Sequence, residues 1–318
     1  HVFSWQNPYS LVMDSTAPDC MGYGLNMYKY WIAWNTSKKA NLHEDSRAWL
    51  QSLLVLALLG TANPVKPREL PLWEAGAGGF QGTFPAYRGS EDQQNFLLPF
   101  PYLIYRGTYL KIDRDGARLR LFDSDRVKLN LSASASLPAK SDDNNARKGM
   151  PDLDPTFEIG PQLKIRLAQI SSRQTLNLRL PVRAVIATDF TSARHVGWIF
   201  NPNIRLYNTD VFGGWNIGLS LGPVFATGKY HEYFYEVKPK YETPERPAYR
   251  ASGGYSGSAA IVTIRRRFNR IWLGGFVRYD YLDGAEFDDS PLVETRHSLM
   301  AGLGIVWIFA SSSRTVGR

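Results

Sequence analysis

From residue 72 onward, apolar side chains recur at every second position. In 175–186, Leu176, Leu178, Leu180, Val182, Ala184 and Ile186 share one face, and Asn177, Arg179, Pro181 and Arg183 share the other. In 128–137, Leu129, Leu131, Ala133, Ala135 and Leu137 stand opposite Lys128, Asn130, Ser132, Ser134 and Ser136. Leu163, Ile165 and Leu167 oppose Lys164 and Arg166. In 271–281, Ile271, Leu273, Val277, Tyr279 and Tyr281 oppose Arg278 and Asp280. In 298–309, Leu299, Ala301, Leu303, Ile305, Trp307 and Phe309 oppose small residues, Gly302 and Gly304. A period of two marks strands whose faces meet different surroundings.

A soluble sandwich alternates in the same way. Three features favour a transmembrane barrel. The apolar faces run ~10 residues, the length of a tilted membrane-crossing strand. Aromatic residues sit at strand ends (Trp198, Trp215, Tyr281, Trp307), where interfacial girdles occur. No segment reads as a long amphipathic helix. A sheet in lipid must close on itself, because its backbone groups find no water. The expected fold is therefore all-β: a transmembrane, antiparallel up-and-down barrel. Alternating short turns with long outer loops, and placing a break near Arg106-Gly107, counts about twelve strands.

The stretch ahead of the barrel has no sustained period. Residues 1–46 read as an N-terminal extension. Arg47 and Lys38-Lys39 then flank Trp49-Leu-Gln-Ser-Leu-Leu-Val-Leu-Ala-Leu-Leu-Gly60. That run is too short to span a bilayer as a helix and has the form of a signal peptide over 47–62, with cleavage expected after Ala62. The barrel is expected over 63–310 and a tail over 311–318.

Between the strands lies one distinctive segment, 230–258, with six tyrosines and Pro239, Pro244 and Pro247. Prolines at that spacing exclude a regular helix or central strand, so the segment reads as a long aromatic external loop. Its rings and prolines suit a loop folded inward over the lumen; the alternative is an exposed adhesive patch. Tyr233, Phe234, Tyr235, Tyr241, Arg246 and Tyr249 are its candidate binding residues.

Composition refines this picture. The 318 residues carry a net charge of +8, with the basic residues dispersed through strands rather than gathered in an arm, which argues against nucleic acid. Cys20 is the single cysteine, so an internal disulfide and a cysteine-based zinc cluster are excluded. No motif calls for a cofactor or a metal; Asp142-Asp143 and Asp288-Asp289 read as turn formers. A hydrolase would draw on His195, His231 or His297, which read first as rim histidines, and there is no Gly-x-Ser-x-Gly run. Arg118, Arg120, Arg166, Arg179, Arg183, Arg205, Arg278 and Asp280 fall opposite apolar faces and are assigned to the lumen. There they form either an internal ion-pair network or an anion-favouring pore.

Trp73-Glu-Ala-Gly-Ala-Gly-Gly79, Pro85-Ala-Tyr-Arg-Gly-Ser-Glu-Asp92 and Leu97-Leu-Pro-Phe-Pro-Tyr-Leu-Ile-Tyr-Arg106 carry a family resemblance. Met150-Pro-Asp-Leu-Asp-Pro-Thr156, Tyr233-Phe-Tyr with Thr243-Pro-Glu-Arg-Pro-Ala-Tyr249, Ser290-Pro-Leu-Val293 and Gly302-Leu-Gly-Ile-Val-Trp-Ile-Phe309 extend it. Together these resemble the MipA/OmpV family of outer-membrane proteins, the MltA-interacting protein family, over roughly 70–310. Pro151 stands where a glycine is more usual, and the chain runs past Phe309, where such barrels usually end. The resemblance implies a non-enzymatic envelope protein among outer-membrane lipids. It also implies a scaffold that links a lytic transglycosylase to a murein polymerase, a penicillin-binding protein. Other members are linked to adhesion and solute adaptation. Parity leaves such periplasmic partners only tight turns near 169–174 and 208–213 and the segment 63–71.

Overall fold

The computed structural model describes residues 70–316, except 107–109, 114–115, 125 and 190; along 110–123 it describes the backbone only. The extension and the signal segment over 47–62 lie outside the described residues.

Among the described residues fifteen strands follow in chain order: β1 (Leu70–Pro71), β2 (Trp73–Pro85), β3 (Gln93–Arg106), β4 (Leu110–Asp113), β5 (Gly116–Asp123), β6 (Val127–Ser136), β7 (Thr156–Gln169) and β8 (Gln174–Thr188). Then come β9 (Ala193–Phe200), β10 (Asn203–Val211), β11 (Trp215–Ala226), β12 (Gly254–Phe268), β13 (Ile271–Tyr281), β14 (His297–Ser311) and β15 (Thr315–Val316). From β2 to β9 and from β10 to β14 each strand pairs antiparallel with the next, β10 pairs with β8 and β11 with β9, and β14 returns to pair with β2, from Ala301↔Thr83 to Ser311↔Glu74. The sheet is a closed barrel.

β9 and β10 together make one crossing. Both pair with β8, β9 along its upper part (Val182↔Phe200) and β10 along its lower part (Asn203↔Arg179). The interruption is Asn201-Pro202, where proline removes a ladder donor. Asn201 Nδ2 bonds the Pro223 carbonyl instead, at 2.8 Å. A Cβ at Gly222 would come within 2.0 Å of the Pro202 oxygen, so only glycine lets β11 approach the bend. With that pair counted once, the thirteen strands of the sheet make twelve crossings, and β3 ends at Arg106.

The alternation sets the two faces. Leu97, Leu103, Ile159, Leu221, Leu299, Leu303 and Ile305 point out and are exposed, although they are large and apolar. Trp73, Tyr105, Phe268, Trp307 and Phe309 ring the short-turn end on the same surface, and Phe157, Trp198, Phe225 and Tyr281 ring the long-loop end. An apolar belt between two aromatic girdles is what a bilayer requires. Among the described residues no helix is long and apolar enough to cross a membrane, so crossing falls to the strands. Loop length makes the 86–92, 137–155, 227–253 and 282–296 end the external one.

At the opposite end, β1 pairs with β15 (Leu70↔Val316, Pro71↔Thr315), forming a small ribbon beside the last turn of the barrel. Glu74, fully buried, is held there by Arg106 (2.7 Å) and Arg267.

Ile305 lies near the middle of β14 on the lipid face. Ile305→Arg should lower the unfolding free energy in lipid vesicles by about 2–4 kcal/mol. Denaturant titration followed by tryptophan fluorescence measures this, and a change near zero would place that face away from lipid.

Candidate functional site

The segment read as an irregular loop begins with a helix, α1 (Gly228–Tyr235), followed by a 3-10 turn (Pro239–Tyr241); β12 takes over at Gly254. The prolines exclude a helix only from Pro239 onward. The eight residues before it contain neither proline nor an interior glycine, and they close a helical turn. This corrects the sequence reading.

The helix lies against the inner wall. Tyr230 packs with Val185, Ala187, Val196, Ile199, Val224 and Ala259 from β8, β9, β11 and β12. Its other face meets the remaining long loops in one cluster: Tyr235 and Val237 with Tyr87, Ala139, Leu153, Leu282 and Phe287. Tyr235 stacks on Phe287 with ring centroids 3.6 Å apart and planes 6° from parallel. Its hydroxyl donates to the Arg88 carbonyl at 2.9 Å. Tyr87 donates to the Leu292 carbonyl at 2.7 Å. The four long loops thus form one cap over the barrel mouth.

All six candidate loop residues belong to this cap. Tyr233 accepts the Asp154 N–H at 2.8 Å and carries Arg194 over its ring. Phe234 packs against both clusters, and its carbonyl accepts from Arg147 at 3.0 Å. Arg246 donates to the carbonyls of Ala146 (2.9 Å), Lys148 (3.0 Å) and Tyr241 (2.8 Å), tying the 3-10 turn to the 137–155 loop. Tyr241 packs half-buried on the cap cluster, and Tyr249 donates to the Glu286 carbonyl at 3.1 Å. Burial raises the Tyr233 and Tyr235 phenols and pushes Tyr230 up to about 12, so all three stay protonated.

The lumen beneath is ion-paired. Asp280, fully buried, accepts two bonds of 2.8 Å from Arg278. Arg88 reaches down from the 86–92 loop and places Nε 2.9 Å from the same carboxylate, while its Nη2 donates to the Ser256 carbonyl at 2.6 Å. Arg183 pairs with Glu158 at 2.8 Å. Arg179 donates to Gln162 at 2.8 Å and Arg205 to Thr263 at 3.2 Å. Arg166 lies on the inward face of β7, in register with Asn177. Arg118 and Arg120 lie on β5, where side chains are outside the described residues.

Sequence reasoning missed Arg88, Arg147 and Glu74. Arg147 sits in a run of polar residues that reads as solvated loop, yet it is buried and bonds the Phe234 and Pro151 carbonyls. Glu74 sits in a glycine- and alanine-rich strand; its parity with Gly76 was the available signal.

One arrangement has the form of a catalytic pair. His231 Nδ1 lies 2.5 Å from the Ser252 carbonyl, and Nε2 meets the Ser256 hydroxyl. A carbonyl only accepts, so Nδ1 carries the proton and Nε2 accepts from Ser256. That is the geometry of a serine activated by an oriented base. Both residues have no exposed surface, however, and Phe287 covers the ring at 4.7 Å. His195 and His297 are exposed, on Trp198 and Tyr279 respectively. Among the described residues no three or more His, Cys, Asp or Glu side chains gather as metal ligands.

Two spaces remain. A groove of about 490 Å³ runs over the cap beside Arg194, His195, Lys229, Glu232 and Tyr241. A cavity of about 340 Å³ lies under the cap.

A closed antiparallel barrel with a lipid-facing belt, aromatic girdles and an external cap is an outer-membrane β-barrel. The profile of the family described as MltA-interacting protein MipA matches residues 75–309, and the chain belongs to that family. It is 24% identical over 250 residues to outer membrane protein Omp26La of Vibrio anguillarum, covering 74% of this chain and 86% of that one. Outer membrane protein OmpV of Vibrio cholerae matches with the same identity and the same shares. Solved structures with a similar course include a bacterial polysaccharide outer membrane secretin (9% identity, TM-score 0.40, 76% of this chain and 99% of that one). Another is outer membrane phospholipase A from Escherichia coli (11% identity, TM-score 0.30, 75% and 94%). The chain resides in the outer membrane, as its relatives are named to do.

His231 supplies a pH dependence. Burial lowers its imidazole from the ordinary value near 6.5, against the Ser252 carbonyl, which favours the charged ring, and together with Arg88, which does not. A ring that charges more easily when the cap opens stabilises the closed cap fully above pH ~6.5 and less as pH falls below it. Near-ultraviolet circular dichroism should show the cap melting at lower temperature at pH 5.5 than at pH 7.5. His231→Gln should flatten that difference.

Proposed function

We propose that this chain is a non-enzymatic interaction protein of the cell envelope, linked to the murein-synthesis machinery. The observation that carries this reading is the cap. Four external loops interlock over the mouth, and the arginines of the described lumen wall bond groups within it. The Ser256–His231 pair is sealed beneath Phe287, which speaks against hydrolysis at that site. What the barrel then offers protein partners is its surfaces.

The partners are proposed from the family's description as MltA-interacting: a lytic transglycosylase, and with it a penicillin-binding protein. The short-turn end offers more for them than tight turns, because the β1–β15 ribbon is an ordered strand pair on that side. A channel is the second reading, favoured by the inward arginines, but their bonds within the wall and the cap above them weigh against it.

Detergent-solubilised barrel should retain a lytic transglycosylase in a pull-down. Leu72 N–H bonds the Arg314 carbonyl, so the N–H that β15 turns toward β1 is that of Val316, opposite Leu70. Val316→Pro, which removes this donor, should reduce retention about tenfold while the cap stays resistant to trypsin. No retention by the unaltered protein would sink the scaffold reading. Stepwise conductance from it in planar bilayers would support the channel instead.

A further inference from the structure

The barrel wall is not evenly built. β3 is fourteen residues long and β6 ten, yet between them stands the hairpin of β4 (four residues) and β5 (eight). β4 pairs with β3 only at Tyr105↔Ile112 and Arg106↔Lys111. β5 leaves β6 after Arg120↔Asn130. Above those points, residues 93–104 of β3 pair with β2 alone, and residues 131–136 of β6 pair with β7 alone, among the described residues. Two open strand edges therefore face each other in the outer half of the wall. Three inter-strand spacings would separate them by ~14 Å.

The β3 edge is built for this. Arg106 donates its N–H across to Leu72, at 2.8 Å, so even-numbered residues of β3 direct their backbone toward β2. The register runs without a bulge, and odd-numbered residues direct theirs toward the open side. Pro99 and Pro101 are both odd. Each removes a donor from the open edge and none from the ladder, which is where a strand tolerates proline. β3 is also apolar on both faces: Leu97 and Leu103 point out, and Phe96, Leu98, Phe100 and Tyr102 point in. On the far side, Ser132, Ala133, Ser134, Ala135 and Ser136 present only small side chains.

Behind the opening lies the cavity under the cap. Phe96 and Leu98 of β3 and Ser134 and Ser136 of β6 line its near side. Phe80 and Phe84 form an apolar wall, extended by Phe276 stacked on Phe80 at 6.4 Å. Arg88, Arg183 and Arg278 form the other wall. Glu158 and Asp280 balance two of these three charges. The Arg88 side chain is nine-tenths buried, and its Nη1 has no hydrogen-bond partner among the described residues. The cavity's ~340 Å³ is within the range of small-molecule sites. From above, the cap closes it.

We propose that this barrel takes up a single-chain anionic amphiphile from the outer leaflet, sideways between β3 and β6. The alkyl chain lies against Phe80, Phe84 and Phe96, and the head meets Arg88 Nη1. The head is a carboxylate or a phosphate, as a fatty acid or a lysophospholipid would bring.

The test uses the full barrel in phosphatidylcholine nanodiscs with a diazirine-bearing long-chain fatty acid, crosslinked by light and mapped by mass spectrometry. Crosslinks are expected on the lumen-facing Phe96, Leu98, Ser134 and Ser136 as well as on lipid-facing Leu97 and Leu103. Ser134→Trp should cut the lumen-facing crosslinks about tenfold and leave the lipid-facing ones unchanged. Arg88→Lys, which keeps a positive charge beside Asp280 but removes Nη1, should weaken binding of the acid about tenfold and leave the matching alcohol unaffected. Competition between the acid and a lysophosphatidate of equal chain length tells which head is preferred, and binding of either upholds the site. Crosslinks confined to lipid-facing residues of the unaltered barrel would overturn the lateral route, and so would lumen-facing crosslinks indifferent to Ser134→Trp. An alcohol bound as well as the acid would overturn the role of Arg88.

Discussion

A carboxylate with no exposed surface must be paired, and Asp280 makes that demand inside the barrel wall. Arg278, two residues back on the same strand, satisfies part of it. Arg88 satisfies the rest, and Arg88 belongs to an external loop. The wall therefore holds the loop down. Once the loop is down, Gly89 N–H reaches Ser298, the Gly89 carbonyl accepts from Glu294 and Thr295, and Tyr235 reaches the Arg88 carbonyl. The cap is anchored in the lumen by charge and fastened by hydrogen bonds. The Tyr235–Phe287 stack fills its centre. Removing one partner of such a buried pair costs about 3–5 kcal/mol, so few substitutions at Arg88 or Asp280 should leave the cap closed.

The same anchoring divides the molecule into surfaces with different uses. The mouth is closed, which leaves the external groove, the short-turn end with its ribbon, and the uneven wall between β3 and β6. A barrel that holds a partner at its inner end does not need an open lumen, and a cavity fed from the side does not need an open mouth. The two proposals therefore rest on different parts of the chain and stand or fall separately.

The parts of the fold that follow from a local period were legible in the sequence. Leu299, Leu303 and Ile305 on one face, and Arg179, Arg183 and Arg278 on the other, need only the alternation of a strand to be placed. The break after Arg106 was readable from parity. The helix over 228–235 was not, because its tyrosines and histidine show no clear apolar stripe and the prolines downstream dominate the reading. Arg88 and Arg147 were not legible either. Each sits in a polar loop, and its partners lie far away in sequence: Ser256 for Arg88 and Phe234 for Arg147. The pairing of His231 with Ser256 is hidden for the same reason. Only the closed sheet brings those loops together. The open edge of β3 leaves a trace in Pro99 and Pro101, but it takes the register to show that both face the same side.

Hydrogen exchange of the cap in the membrane-embedded protein tests the central claim most directly. The backbone bonds Val237 N–H to Tyr249 O and Tyr249 N–H to Val237 O, both 2.9 Å, lie in the cap and in no barrel strand. A cap that is ordered and anchored by Arg88 and Asp280 predicts that the amides of Val237 and Tyr249 exchange orders of magnitude more slowly than an unstructured peptide. Exchange of both at the unstructured rate, with the β13 and β14 amides still protected, would contradict it.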